Sequence, residues 1–246
     1  MPVSQPILLA LFILVAAALY SSVGHGGASG YLAAMALFGL APEVMRPTAL
    51  VLNLLVAAIA SIQFARAGHF RWRLFWPFAA ASIPLAFLGG SLTLPTPVYK
   101  QLLGFVLLFA AYRLFLSPRT GQDSEIRVMP LPLAIVIGGA IGLLSGLTGV
   151  GGGIFLSPIL LVGRFAPPRE TAAVSGPFIW VNSLAGLLGR FTSVSSLPPA
   201  VPLWALAAVA GGLLGAHYGS RRLAGTTLRR LLAVVLVVAA VKLVLT

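Results

Sequence analysis

Ser22-Val23-Gly24-His25-Gly26-Gly27-Ala28-Ser29 interrupts an apolar run that reaches from Pro6 to Leu40, and Thr148-Gly149-Val150-Gly151-Gly152-Gly153 interrupts a second that reaches from Pro132 to Val162. A continuous helix over the first run would be ~50 Å long, against a hydrocarbon core of about 30 Å. Glycine costs roughly 1 kcal/mol relative to alanine inside a helix. Gly24, Gly26 and Gly27 in one run, and Gly149, Gly151, Gly152 and Gly153 in the other, therefore mark where each helix breaks.

Working outward from the breaks, an offset of 125 residues pairs Gly24–Ala28 with Gly149–Gly153, Ala41-Pro42 with Ala166-Pro167, and Gly90 with Gly215. After a short insertion near Ser220 to Gly225, Arg113-Leu114-Phe115-Leu116 meets Lys242-Leu243-Val244-Leu245. Such duplication is a common way to build transporters. It divides the chain into a first transmembrane repeat (1–116), a polar linker (117–129) and a second repeat (130–246). In each repeat three spans of ordinary length follow the broken segment. They run roughly over Glu43–Phe64, Leu74–Leu94 and Pro97–Leu116, then Pro168–Gly189, Pro202–Ser220 and Thr227–Leu245.

Composition places these spans in lipid. Hydrophobic residues make up 59% of the chain and charged ones 8%, with a mean hydropathy of +1.03. That is too little polar surface to coat a water-soluble globule. The net charge of +12 would suggest nucleic acid in a soluble domain; here the basic residues sit in short loops, as cytoplasmic loops of membrane proteins do, and no nucleic acid is expected. With no cysteine, disulfides, thiolate metal sites and cysteine nucleophiles are excluded. No GxxxxGK[ST] phosphate loop occurs, so any motor would be a separate chain. No metal or cofactor is implied. The uncharged stretch Met1 to Gln5 makes a poor signal-peptide start, so the first segment is read as a retained helix.

The positive-inside rule chooses the topology. If each broken segment crossed once, the sixteen basic residues would divide evenly between the two sides. If each enters and returns to its own side, twelve gather on the linker side, leaving Arg46, Lys100, Arg190 and Lys242 on the other. The expected fold is therefore all-α and integral to the membrane, with two inverted-topology repeats, each a glycine-broken helical hairpin followed by three transmembrane helices. The linker is expected in the cytoplasm, both termini outside, and the protein in the cell's inner membrane as a multi-pass protein. Re-entrant and fully spanning hairpin arms share the same parity.

Hairpin tips entering from opposite faces would meet near the midplane, where irregular backbone is tolerated only inside protein or along a cavity. Half-helices beginning near Ala28 and Ile154 would aim free N–H groups and positive dipole ends inward, favouring an anion. The candidate substrate-binding residues are Ser22, Gly24, His25, Gly26, Gly27, Ser29, Asn53, Thr148, Gly149, Gly151, Gly152, Gly153 and Asn182. The glycines permit close backbone approach and the hydroxyls and amides supply donors. His25, the ionisable residue placed deep in the membrane, is the candidate for proton coupling. Its repeat partner is Val150, so the site is not symmetric, and a histidine bonded to a neighbouring carbonyl is an equal alternative. Asn53 and Asn182 fit helix packing as well as ligand binding. The fourfold-spaced series Gly138, Gly142, Gly146 and Gly211, Gly215, Gly219 reads as helix packing. Glu43 with Arg46, and Arg169 with Glu170, read as exposed and therefore weak surface ion pairs.

At these residues the chain resembles the sulfite exporter TauE/SafE family of membrane permeases over nearly its full length. The resemblance is carried by Ser22-Val23-Gly24-His25-Gly26-Gly27 and by Gly146-Leu147-Thr148-Gly149-Val150-Gly151-Gly152-Gly153 with Pro158. Ala65-Arg66-Ala67-Gly68-His69-Phe70 with Trp72, and Asn182-Ser183-Leu184-Ala185-Gly186, are also similar. It implies export or uptake of small sulfur oxyanions or organosulfonates, driven by an ion gradient. Members differ in substrate, so the compound does not carry over.

The expected function is a secondary transporter of a small anion, working by alternating access around a midplane site between the tips. Its expected partners are that anion, a coupling proton or sodium ion, and the lipid bilayer, with a homodimer left open. An anion-selective, channel-like pore is the alternative from another class. A third, an intramembrane serine hydrolase built on Ser145 and His217, fails on spacing: Ser145 lacks the glycine two residues before it, and a serine and its base must lie within hydrogen-bond reach.

Overall fold

A computed structural model describes residues 4–115, 126–191, 197–219 and 226–245. Most of the expected linker, including Arg119, and the insertion at 220–225, with Arg221 and Arg222, lie outside the described residues. Helices α1 (Ser4–Ser21) and α2 (Ala28–Leu37) form the first broken segment, followed by α3 (Pro42–Arg66), α4 (Trp72–Ser91) and α5 (Thr96–Phe115). The second half repeats the order with α6 (Leu131–Thr148), α7 (Gly153–Val162), α8 (Pro168–Gly189), α9 (Val201–Gly219) and α10 (Thr226–Leu245). Both breaks fall where the glycines place them.

Local chemistry sets the helix starts. Proline opens α3 and α8, each behind an extended residue, Ala41 at ψ 146° and Pro167 at ψ 161°. Proline's fixed φ suits a first helical position, where its missing N–H leaves no bond unmade. Five helices are long and apolar enough to cross a membrane by length and composition: α3, α4, α6, α8 and α9, the last counted to Tyr218. Their outer faces agree: Ile62 is 52% exposed, Val136 69% and Leu206 71%, a cost in water and an ordinary contact in lipid. The chain is a multi-pass, all-helical membrane protein.

The halves interlock. α1 packs on α9 and α6 on α4, so the first helix of each half lies against the fourth helix of the other. Glycine makes both contacts close. The Gly138, Gly142 and Gly146 backbones lie against Phe78, Ser82 and Ala86 in turn, and Gly211 and Gly215 against Leu14 and Ala18. A Cβ on any of these five would strike a neighbouring carbonyl oxygen, so the packing reading of this spacing holds for them. Gly219's surroundings lie outside the description. Numbers rise together along both pairs, so each pair is parallel. Along α3 and α8 they run in opposition: Gly186 approaches Leu50, Ser183 bonds Asn53, and Gly176 approaches Ser61. These two helices, equivalent in the repeat, are therefore antiparallel and cross at the centre of the molecule.

Two cations close helix ends. Lys242 Nζ donates to Leu37 O at the end of α2 (2.8 Å). Arg46 donates through Nη1 to Leu92 O (3.0 Å) and through Nη2 to Gly90 O (3.0 Å) and Gly89 O, at the end of α4. A cation at a helix C-terminus contributes about 0.3–1 kcal/mol, more when partly buried. Arg46 is thus not half of an exposed ion pair with Glu43, as expected from sequence: it is 2% exposed and turned into the protein. The other expected pair is corrected too, because Glu170 Oε1 lies 2.7 Å from Arg71 Nη2, brought there by the packing of α4 on α8.

Candidate functional site between the helix breaks

Each tip ends one helix and begins another through left-handed glycines. At the first, Gly24 N donates to Ser21 O (3.0 Å) and His25 N to Tyr20 O (2.9 Å), while Gly24 sits at φ 79° and Gly27, capping α2, at φ 103°. At the second, Gly149 N donates to Ser145 O (2.8 Å), and Gly149, Gly151 and Gly152 sit at φ 83°, 84° and 84°. An L-residue in this conformation costs roughly 1–2 kcal/mol, so the backbone path itself selects glycine.

The tips converge on one side chain. Asn53, fully buried on α3, accepts from Ala28 N through Oδ1 (3.1 Å) and donates through Nδ2 to Val150 O (3.2 Å) and Ser183 Oγ (3.3 Å). It ties the start of α2 to the second tip and to α8. A Cβ at Gly26 would stand 2.9 Å from Asn53 Cγ and 3.2 Å from Ile179 Cγ2. At Gly151 it would stand 2.9 Å from Ile179 Cγ2 and 3.0 Å from Ser183 Oγ, and closer still to Asn53 Nδ2. The tips are therefore closed around Asn53 and Ile179, with no room for a methyl group on either. Ile179 stands as far from Pro168, the first residue of α8, as Asn53 from Pro42, the first of α3, and the 125-residue offset pairs Asn53 with Phe178, so in either register the second half sets an apolar side chain where the first sets an amide.

The expected inward N–H of the first half-helix is engaged, since the Ala28 amide is held by Asn53 rather than left for a ligand. Several candidate hydroxyls are also committed. Ser22 Oγ donates to Leu19 O (2.7 Å), Thr148 Oγ1 to Leu144 O (2.7 Å) and Ser29 Oγ to Tyr20 Oη (2.6 Å). Asn182 Nδ2 donates to Phe178 O of its own helix (2.7 Å), and its buried Oδ1 has no partner among the described residues. Tyr31 Oη holds Gly26 O (2.6 Å) and Tyr99 Oη holds Thr148 O (3.1 Å), so each tip has a tyrosine bonded to one of its carbonyls.

His25 reaches across to the second half. Its Nδ1 lies 3.0 Å from Val23 O, which can only accept, so the neutral ring that satisfies this contact is the one assigned its proton on Nδ1. Nε2 lies 3.2 Å from Gly153 O and 2.8 Å from Ser157 Oγ. A neutral ring accepts the Ser157 hydroxyl at Nε2, and a charged ring donates there to Gly153 O or Ser157 Oγ, so both protonation states find partners. Ser157 Oγ is 2.9 Å from Ser175 Oγ, which extends the chain from α7 to α8.

Ser157, Ser175, Ser183 and Ile179 escape a reading of the sequence alone. Ser183 lies in the Asn182-Ser183-Leu184-Ala185-Gly186 stretch, yet within that stretch the residue bonded to Asn53 is the serine rather than the neighbouring amide. Ser157 precedes Pro158 in an apolar helix, where a polar residue is a signal by default. Ser145 and His217 lie on helices with different partners, α6 against α4 and α9 against α1.

Comparison with known proteins agrees with this architecture. The sulfite exporter TauE/SafE family matches residues 9–243. "Probable membrane transporter protein y4hK" of Sinorhizobium fredii is 42% identical over 243 residues, 98% of each chain. "Probable membrane transporter protein YjnA" of Bacillus subtilis is 28% identical over 256 residues, 97% of this chain and 98% of its own. No solved structure matches. With the family matched from near the first residue to near the last, and both breaks inside the match, the chain belongs to the sulfite exporter TauE/SafE family.

Proposed function

We propose that this membrane transporter carries a small anion of the sulfur-oxyanion or organosulfonate class by alternating access, with the substrate bound where the two tips now close on each other. The observation that carries the reading is the double hold of Asn53, which binds the α2 amide with one atom and the second-tip carbonyl with another. Parting the tips would release the Ala28 N–H and the Asn53 amide together, exchanging a protein acceptor for the oxygens of an anion. His25 is the coupling group in this reading, because it has partners in both charge states and touches both halves.

The antiparallel crossing of the equivalent helices α3 and α8 supports inverted repeats, since a two-fold axis in the membrane plane reverses equivalent helices. The charge asymmetry supports a cytoplasmic linker, outside termini and an inner-membrane location. Proteoliposome uptake of sulfite and of sulfoacetate tests the function. A saturable flux that responds to an imposed pH gradient is expected, and a non-saturating, electrodiffusive current would establish a channel instead.

A further inference from the structure

Behind the second tip lies a small cavity that the tip-to-tip site does not use. Glu43, Arg46, Thr93, Tyr99 and Arg190 line it with Pro42 and Leu94, and about 20 Å³ of it admits the centre of a water-sized molecule, the rest being open mouth. Two guanidinium groups face one carboxylate there, and Glu43 sits at the exposed rim. Arg46 is buried, its Nη groups occupied by the carbonyls ending α4, and its Nε–H is buried without a partner among the described residues. Like charges sharing a poorly solvated wall raise each other's energy, and an anion between them lowers it.

The cavity leads to the tip. Tyr99 Oη donates to Thr148 O (3.1 Å), and a Cβ on Gly149 would stand 3.1 Å from both Arg46 Cγ and Arg46 O. The other half offers no counterpart: Thr171 or Ala172 stands where Arg46 would, and Phe64 or Ala65 where Arg190 would. This pair of arginines, one from each half, thus has no match at the equivalent positions of the repeat.

We infer that this cavity is a vestibular site for a small oxyanion, occupied between the water on that face and the tip-to-tip site. Arg46 and Arg190 supply the charge. The inference rests on the transporter reading and adds to it a side: on the expected topology the vestibule opens outside.

Sulfite and sulfoacetate fluxes into oriented proteoliposomes, with the anion offered on one face at a time, test it. Electrostatic focusing raises capture by about tenfold or more, so Arg190→Gln should raise KM about tenfold on the vestibule face while leaving kcat within about twofold, and Arg190→Lys should recover most of the loss. Asn53→Leu should abolish turnover yet keep the rise in melting temperature that sulfite gives the wild type, because the vestibule remains. An Arg190→Gln protein with unchanged melting temperature and a KM within about twofold of wild type, alongside an inactive Asn53→Leu, overturns the vestibule and leaves the tip site standing. Full transport by Asn53→Leu overturns the tip site instead. A wild type that neither moves nor is stabilised by either anion overturns both.

Discussion

At the first tip the chain leaves α1 at Ser21, passes two left-handed glycines and presents His25; at the second it leaves α6 at Thr148, passes three and presents Val150. Each is held by a tyrosine on one of its carbonyls, Tyr31 on Gly26 O and Tyr99 on Thr148 O, and by Asn53, which binds Ala28 N in one and Val150 O in the other. Backbone geometry and tyrosine hold are thus present twice, the histidine and the bridging amide once. The crossing of α3 and α8 accounts for the difference: a side chain at the centre reaches both tips, so Asn53 serves both and the apolar Ile179 facing them from α8 need only fill space.

The comparison breaks most severely at Gly151. Gly151→Ala adds a left-handed strain and a methyl group into Asn53, Ile179 and Ser183, so a loss of roughly 2–4 kcal/mol of stability is expected, with flux in proteoliposomes falling at least about a hundredfold. Gly151→Ala protein that transports normally would show that the tips do not need to close. Asn53→Leu comes next. It strands the Ala28 N–H and the Val150 carbonyl, at about 1–3 kcal/mol for each buried group left unbonded, and should abolish turnover while lowering the melting temperature about as far as Gly151→Ala.

His25→Gln sharpens the asymmetry without a packing cost of that size. It should lower flux about tenfold and flatten its dependence between about pH 5 and 8, where histidine changes charge; a pH profile matching wild type would remove His25 from coupling. Ser157→Ala should shift that profile while keeping most of the flux, since it removes one partner of Nε2 and leaves Gly153 O. The smallest effect belongs to a left-handed glycine away from the tips. Gly39, at φ 73° with open space around it, should tolerate alanine at about 1 kcal/mol, with transport unchanged. Equal damage from Gly39→Ala and Gly151→Ala would mean that strain alone, rather than tip closure, is being measured.

Much of this was legible one residue at a time. Pro168 opens α8 and Gly189 ends it where the pattern predicts, and the remaining spans fall within a few residues of expectation. The packing role of Gly138, Gly142 and Gly146 follows from their spacing. The site was legible only in part. Asn53 and His25 stand at the junction of the halves, while Asn182, one residue from the serine that bonds Asn53, is turned back onto Phe178 O. Arg46 misled in the same way: beside Glu43 it reads as a surface pair, and only the end of α4 shows what its guanidinium holds.

Lipid residence, the duplication and the two breaks are properties of the sequence itself, because hydropathy, glycine's backbone cost and proline's fixed φ act within a turn or two of where they occur. The choice of residues that meet at the centre belongs to the tertiary structure. Each step along a helix turns the side chain by about 100°, and in a membrane the lipid-facing side is as apolar as the buried one, so hydropathy does not report the rotation. Only the crossing of α3 and α8 decided that Asn53, Ser183 and Ile179 face the tips, and only the packing of α7 on α8 brought Ser157 to Ser175 and within reach of His25.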